Sequence, residues 1–307
     1  MNAELWEPRY LEHLQVLGRT ERTIRGYLSE FRQFLGFLQD RGISEPHELS
    51  REEVEAYQVS LLYRRKSNGN PISLKSRHTK TAAVLVFLRY LYEAGFVLAN
   101  PGRGIKQPSL PRKILPKLPS VEDIERLLEA PDVETPLGLR DRAILELLYS
   151  SALRNTELRK LKLEDLDLER LEVRVIEGKG RKSRVVPMGE PAAFWLEAYL
   201  ERGRASLIRK TEHGLVFATA RGDGLRVETL IKLVAKHTTA AGLGLNITPH
   251  ILRHCCASHM LARQAGLRHL QELLGHESPE STQIYTLVEL SELREVYERC
   301  HPRESFA

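Results

Sequence analysis

The 307-residue chain is poor in cysteine, in long apolar runs and in clustered acidic residues. Its three cysteines, Cys255, Cys256 and Cys300, give no disulfide framework and no C-x-x-C pair, so a reducing, cytoplasmic location is the simplest expectation. No apolar run approaches the roughly 20 residues that a membrane span needs. The N-terminus, M-N-A-E-L-W-E, is acidic and lacks the apolar core of a signal peptide. We therefore expect no membrane partner.

The composition is that of a globular protein. Apolar residues make up 42% and charged residues 28% of the chain, as is typical of such proteins. The length is sufficient for two domains of ordinary size and a sizeable core in at least one of them. We find neither an internal repeat nor a low-complexity tract.

Positive charge is concentrated in one segment. Residues 64–117 carry twelve Lys and Arg against one acidic residue, Glu93. Because the whole chain has a net charge of +5, the remainder is net negative. Such a run can be a solvated face, but here it covers a predicted helix and a linker, which favours a polyanion such as DNA as partner. The predicted DNA-contacting residues are Arg64, Arg65, Lys66, Lys75, Arg77, Lys80 and Lys113.

The first domain, residues 1–107, is predicted to be helical. Apolar residues recur with a period near 3.6 over residues 20–41, and Gly42 follows as a stop. Ser50 and Glu53 form a capping box ahead of a second helix. A third helix is predicted over residues 73–93, with Gly95 as its C-cap.

A basic, proline-rich linker over residues 108–118 is predicted to join the two domains. Five prolines lie between residues 100 and 119, and each removes the N–H that a helix or sheet would use.

The second domain, residues 119–307, is predicted to be mainly helical with a small antiparallel sheet. A capping box from Ser120 to Asp123 opens it, followed by helices over 121–130 and 139–152 and a short helix from Asn155. The segments L-E-V-R-V-I-E and K-S-R-V-V-P-M are predicted strands joined by a glycine turn. A further strand is expected at G-L-V-F-A-T (214–219), and the chain from about 226 onward is predicted to be mostly helical.

Six side chains in the second domain can bind or attack a phosphate. With no acidic cluster for Mg²⁺ nearby, they indicate metal-free phosphoryl transfer to a tyrosine hydroxyl, with no cofactor. They are Arg154, Lys179, His250, Arg253, His276 and Tyr285.

Each of these residues alone also has an ordinary structural interpretation. Arg154 follows an apolar helix and could simply cap the next one, Lys179 could be a solvated hairpin tip, and Tyr285 could be a core or surface residue. His250 and His254 have the spacing of a zinc pair, but no H-E-x-x-H arrangement and no third ligand accompany them. The vicinal cysteines are expected to be small buried groups.

The order of these motifs resembles the tyrosine recombinase (phage integrase) family, most closely its Xer-type members. The similarity covers nearly all of the second domain, and the helical first domain matches more loosely as a core-binding domain. The final C-H-P-R is similar to the tail of Xer proteins. The matching motifs are L-R-N-T-E-L, E-G-K-G-R-K-S-R-V-V-P-M, T-P-H-I-L-R-H and L-L-G-H-E-S-P-E-S-T-Q-I-Y.

The resemblance implies a role for each of the six residues. Tyr285 would be the nucleophile that forms a 3′-phosphotyrosyl bond with DNA, and Arg154 and Arg253 would bind the non-bridging phosphate oxygens. Lys179 would protonate the leaving 5′ oxygen. His250 would handle the tyrosine proton, and His276 would donate to the phosphate.

The sequence departs from the family pattern at a few positions. Ala152 stands where a glycine is usual, Asn155 follows the first arginine in place of an aliphatic residue, and Leu287 replaces a frequent histidine. Cys255 and Cys256 occupy positions often held by Ser or Thr and by a large apolar residue. These departures leave open a chromosomal resolvase or a recombinase of a mobile element.

The expected partner is a double-stranded DNA recombination site, bound by a homo- or hetero-tetramer that could include a second related recombinase. A helix after the nucleophile, over residues 289–297, either packs on its own domain or docks in a neighbouring protomer. Two other functions remain open: a type IB topoisomerase and a non-catalytic DNA-binding protein.

Overall fold

The described part of the chain forms mostly helices with one small antiparallel sheet, as the sequence predicts. The computed structural model describes residues 2–110, 118–176, 183–208, 212–275 and 290–303. It divides into two compact units, Met1–Ile114 and Leu115–Ala307. In the described part of the chain, no helix has both the length and the apolar character needed to cross a bilayer.

Helices build the described part of the first unit. They are α1 (Ala3–Val16), α2 (Glu21–Asp40), α3 (Arg51–Tyr63) and α4 (Leu74–Glu93), with a short 3₁₀ turn at Pro46–Glu48. The apolar face predicted for α2 is buried throughout, from Ile24 to Leu38. The Thr20 hydroxyl caps this helix by accepting a hydrogen bond from the Thr23 N–H at 3.3 Å, which satisfies one of the unpaired donors of its first turn.

Serine residues begin the next two helices at the predicted positions. Ser50 accepts from the Glu52 N–H at 3.1 Å and donates to the Glu53 carboxylate. Helix α3 therefore begins where the sequence predicts, and the Glu53 carboxylate accepts a hydrogen bond from the Ser50 hydroxyl. Ser73 caps α4 by accepting from the Ser76 N–H at 3.1 Å.

Aromatic rings fill the core of the first unit where α1, α2 and α4 meet. The Phe87 ring lies 4.8 Å from that of Phe31 and 5.1 Å from that of Tyr10, both close to edge-on. Edge-to-face pairs of this kind add stability beyond their buried area.

The other elements of the second unit pack around its buried helix α6. Its described helices are α5 (Val121–Glu129), α6 (Pro136–Ser150), α7 (Asn155–Lys160), α8 (Glu190–Ala198), α9 (Ala205–Leu207), α10 (Val227–Ala240), α11 (Pro249–Ala262), α12 (Leu267–Leu274) and α13 (Leu290–Cys300). A 3₁₀ turn at Leu163–Asp165 and a π-helical turn at Tyr199–Arg204 accompany them. Every residue of α6 from Gly138 to Ser150 is buried. The capping box at Ser120 and Asp123 is confirmed, with bonds of 3.1 and 3.2 Å.

The sheet of the second unit has three strands in the order β1–β2–β3. Strands β2 (Glu172–Val175) and β3 (Arg184–Pro187) pair antiparallel, as predicted, with Val173 opposite Val186. Strand β1 (Leu166–Asp167) was not predicted, because two residues are too short to show an alternating pattern.

The strand predicted at residues 214–219 is wrong. This segment forms only isolated bridges, Lys162 with Leu215 and Ala218 with Gly224. Residues 161–163 pair with it only at Gly214 and Val216, and the guanidinium of the buried Arg204 donates to the carbonyls of Leu215 and Val216. The backbone groups are thus satisfied without a continuous ladder.

Candidate active site

Arg253 lies in the interior of the second unit on α11. Thr248 caps this helix and Pro249 occupies its first turn. The Arg253 side chain is 4% exposed. It donates to the Ala152 carbonyl at 2.5 Å and to the Leu274 carbonyl. Burial, together with the neighbouring guanidinium of Arg154, lowers the pKa of Arg253 to about 10, so it remains protonated at neutral pH.

Arg154 lies beside this group, at the start of α7. Its Nη2 donates to the Gly275 carbonyl at 2.7 Å and its Nη1 to Glu157 Oε1 at 2.7 Å. The Arg154 backbone N–H donates to the other Glu157 oxygen at 2.8 Å. The guanidinium is therefore held at both ends while its side chain remains 29% exposed.

Ala152, which lies two residues before Arg154 and accepts a hydrogen bond from Arg253, has an unusual backbone conformation. Its φ is +48° and its side chain is fully buried. Left-handed geometry costs a non-glycine residue about 1–2 kcal/mol, which explains why glycine suits this position. The turn presents the Ala152 carbonyl to Arg253.

Glu157 and Arg184 form a buried ion pair behind Arg154. Arg184 Nη1 and Nη2 donate to the two Glu157 oxygens at 3.1 and 3.0 Å. Burial opposes ionisation of Glu157, but hydrogen bonds from Arg184 and Arg154 outweigh it and hold its pKa at about 2. The carboxylate is thus an anion shared between two guanidinium groups.

All three arginines donate hydrogen bonds to successive backbone carbonyls at the C-terminal end of α12. Arg184 donates to Leu273 at 3.3 Å, Arg253 to Leu274 and Arg154 to Gly275. These terminal carbonyls have no helical partners and carry the negative end of the helix dipole. Gly275 ends the helix at a φ of +57°, and a β-carbon there would lie 3.1 Å from the Arg184 guanidinium. Close packing therefore favours the glycine of the L-L-G-H motif.

His250 lies on the first turn of α11, one helical turn from His254. Both are exposed, and their Nε2 atoms are 3.2 Å apart. Which ring donates depends on the tautomers. Among the described residues, no three His, Cys, Asp or Glu side chains are grouped to hold a metal ion.

The remaining catalytic candidates lie outside the described residues. Lys179 falls within 177–182, between β2 and β3, and His276 and Tyr285 fall within 276–289, between α12 and α13. Of the predicted set, the structure brings together Arg154 and Arg253, which bond adjacent carbonyls of α12. It places His250 three residues before Arg253 on the same helix.

Two contributors to this cluster were not identified from the sequence. Glu157 shows a weak signal, because an acid three residues after Arg154 lies in the first turn of the next helix. Arg184 shows none, since its partners Glu157 and Leu273 are 27 and 89 residues away.

Cys255 and Cys256 are buried free cysteines, as expected. Burial raises the pKa of the Cys255 thiol to about 12 and that of Cys256 further. Both therefore remain protonated and pack as small apolar groups.

The predicted DNA-contacting residues differ in their exposure and in their partners. Lys80 forms a 2.7 Å ion pair with Glu30, and Arg64 donates to Gln33, so both are tied to α2. Arg77 is partly buried, and its Nε has no hydrogen-bond partner. The exposed members are Arg65, Lys66 and Lys75. Lys113 lies outside the described residues.

Residues 293–303 pack on their own unit. Tyr297 on α13 is buried and bonds the Ser150 hydroxyl, and the next turn places His301 Nε2 3.2 Å from the Tyr149 carbonyl. Arg303 pairs with the buried Glu146 at 2.6 Å. In the single chain, this helix packs within its own domain; docking in a neighbouring protomer stays a prediction.

Chemically, a cluster of three guanidinium groups around one carboxylate can bind an oxyanion such as a phosphate. Two family models match the chain: residues 120–292 match the phage integrase family, and residues 8–94 match the N-terminal SAM-like domain of phage integrases. The first match covers more than half of the chain, so the protein belongs to the phage integrase family.

Individual relatives define it further as a site-specific tyrosine recombinase of the Xer type. Tyrosine recombinase XerC 2 of Ralstonia nicotianae is 38% identical over 293 residues, covering 95% of this chain and 84% of that protein. Tyrosine recombinase XerD of Listeria innocua is 38% identical over 288 residues, covering 93% and 94%. The corresponding XerD of Pseudomonas aeruginosa is 36% identical over 299 residues, covering 96% of each.

Solved structures share the fold. A lambda integrase dimer bound to a COC′ core site has a TM-score of 0.67 at 19% identity, covering 94% of this chain and all of that one. XerH site-specific recombinase bound to a palindromic difH substrate has a TM-score of 0.62 at 22% identity, covering 90% and 79%.

Proposed function

We propose that the protein cuts and rejoins two DNA duplexes through a 3′-phosphotyrosyl intermediate and a Holliday junction. The observation that carries the proposal is the convergence of Arg154 and Arg253 on the end of α12, immediately before His276. Guanidinium groups that are already oriented can stabilise the charge that develops on a phosphate under attack without reorganising during the reaction. The names of the relatives, all tyrosine recombinases, support the same reaction.

In the proposed reaction the tyrosine hydroxyl of Tyr285 attacks the scissile phosphorus. A bond forms between phosphorus and the tyrosine oxygen, and the bond from phosphorus to the 5′ oxygen breaks. His250 accepts the tyrosine proton and Lys179 protonates the leaving oxygen, while Arg154, Arg253 and His276 bind the phosphate. A 5′ hydroxyl from the partner strand then reverses these steps, so each phosphodiester is replaced by another.

The proposed assembly is a tetramer on a double-stranded recombination site. Exchange of both strands between two duplexes requires four cleavages, and each active site cuts one strand. Residues 1–107 would bind DNA as a core-binding domain, residues 108–118 would link the domains, and residues 119–307 would carry the chemistry. The relatives are named both XerC and XerD, which supports a second related recombinase as partner. The biological role that we propose is the resolution of chromosome or plasmid dimers.

A nicked suicide substrate tests this function. The DNA site would first be selected from random duplexes by binding to the protein, then nicked beside the scissile phosphate so that cleavage releases a short fragment and traps the adduct. We expect a covalent protein–DNA adduct that survives denaturant and is lost in Tyr285→Phe. Binding without an adduct would indicate a DNA-binding protein, and an adduct without exchange between two sites would indicate a topoisomerase.

A further inference from the structure

Arg184 bonds Glu157 and the C-terminal end of α12, which both hold Arg154, but it has no role in the reaction proposed above. It is the first residue of β3, and its side chain is 12% exposed. One edge of its guanidinium bonds both oxygens of Glu157, and its Nε donates to the Leu273 carbonyl at 3.3 Å. A bidentate contact of this kind fixes orientation as well as charge.

Glu157 accepts four hydrogen bonds, which is the full capacity of a carboxylate. Oε1 accepts from Arg154 Nη1 at 2.7 Å and from Arg184 Nη1 at 3.1 Å. Oε2 accepts from the Arg154 backbone N–H at 2.8 Å and from Arg184 Nη2 at 3.0 Å. Both arginines therefore share a single negative charge.

This sharing determines how much positive charge the site can offer to a phosphate. Among the described residues, three guanidinium groups lie around one carboxylate when Arg184 is present. Without it, Glu157 would be left with Arg154 as its main ionic partner, in a site where charges are weakly screened because the Glu157 side chain is only 7% exposed. Arg154 would then be largely neutralised by its own neighbour.

We propose that Arg184 is a positioning residue for strand cleavage. Arg184 offsets the charge of Glu157 and fixes the position of its carboxylate, while its own Nε bonds the end of α12. Arg154 thereby keeps both its orientation and its charge for the scissile phosphate. The inference rests on the proposed function, in which Arg154 binds that phosphate.

The central test compares two substrates in the suicide assay. One carries the normal scissile phosphate and the other a methylphosphonate, in which a methyl group replaces a charged oxygen. For Arg184→Met we expect cleavage of the phosphate to fall by roughly 10- to 100-fold, less than the roughly 10²–10³-fold cost of removing one group that stabilises the developing charge. The methylphosphonate carries one negative charge fewer than the phosphate and depends less on the charge of Arg154, so its cleavage should fall by less than about threefold.

Two further variants test the route through Glu157. The double variant Glu157→Gln with Arg184→Met restores the charge balance and should cleave the phosphate faster than Arg184→Met alone. Arg184→Lys keeps the charge but loses the bidentate contact, and it should fall between Arg184→Met and the wild type. It also provides a folded variant if the methionine substitution prevents folding.

Arg159→Met is the matched control, because this α7 arginine also donates to a backbone carbonyl, that of Leu225 at 2.8 Å. Its cleavage rate should equal that of the wild type. Equal losses on both substrates, or no improvement in the double variant, would overturn the role of Arg184. Failure of the wild type to cleave either substrate would instead overturn the proposed function, and the role of Arg184 with it.

Discussion

At the scale of single residues, the site depends on one buried carboxylate. Glu157 is held at a pKa of about 2 by hydrogen bonds from two arginines, against the opposing effect of burial. A carboxyl whose pKa is lower in the folded than in the unfolded chain stabilises the fold above its unfolded pKa, and this stabilisation is lost as the pH falls toward the folded value.

Glu157→Gln should therefore be less stable than the wild type at pH 7, and the difference should narrow by about 1 kcal/mol at pH 4. Urea unfolding at both pH values measures it, since other carboxylates titrate in both proteins and cancel in the difference. Glu164→Gln, at an exposed carboxylate paired with Lys162, is the control and should show little effect. A stability difference that stays constant between the two pH values would contradict the pKa assignment.

At the scale of secondary-structure elements, α13 and residues 301–303 pack on the ends of α6 and α11. His301 is buried against Tyr149 and Tyr297, with ring centroids 5.1 and 4.7 Å away. Burial lowers the pKa of His301 to about 3. The stabilisation from a neutral His301 is thus present above pH 6.5, the usual histidine value, and is lost as the pH falls below it.

Between pH 8 and pH 5, the second unit of the wild type should lose about 2 kcal/mol more of its free energy of unfolding than that of His301→Gln. Fluorescence of Trp195 in a Trp6→Phe background reports the unfolding of this unit, because the chain has two tryptophans. The exposed His254→Gln should keep the pH dependence of the wild type. The same dependence in His301→Gln would show that another group is responsible.

The elements also show how far the sequence could predict the structure. The sequence predicts helices with a strong period, such as α2, and helices with a serine cap, such as α3 and α5, because their signals are local. The strand prediction at 214–219 is wrong because the Arg204 side chain donates to the carbonyls of Leu215 and Val216, which lie 11 and 12 residues later. Arg154 and Arg253 were predicted from motifs, whereas Arg184 becomes visible only when the fold brings β3 to α12.

At the scale of the whole molecule, the exposed positive charge of the first unit is expected to attract DNA. Arg65, Lys66 and Lys75 are exposed, whereas Lys80 is 16% exposed and paired with Glu30. Replacing the three exposed residues by alanine should weaken DNA binding and lower its salt dependence by up to one unit of slope per lost phosphate contact.

Titration of binding against salt concentration measures this effect. The matched control exchanges lysine and arginine at the same three positions, which preserves the charge and should preserve most of the slope. Lys80→Ala should mainly lower the stability of the first unit, since it breaks a partly buried ion pair with Glu30. An unchanged salt slope in the alanine variant would mean that the three exposed residues are only a solvated surface.

The central claim is that a single tyrosine joins this protein to DNA during recombination. The direct measurement is mass spectrometry of the protease-digested adduct trapped on the nicked site. We expect one modified peptide, with the DNA attached to Tyr285 through a 3′ phosphate. Attachment at any other residue, or through a 5′ phosphate, would contradict it.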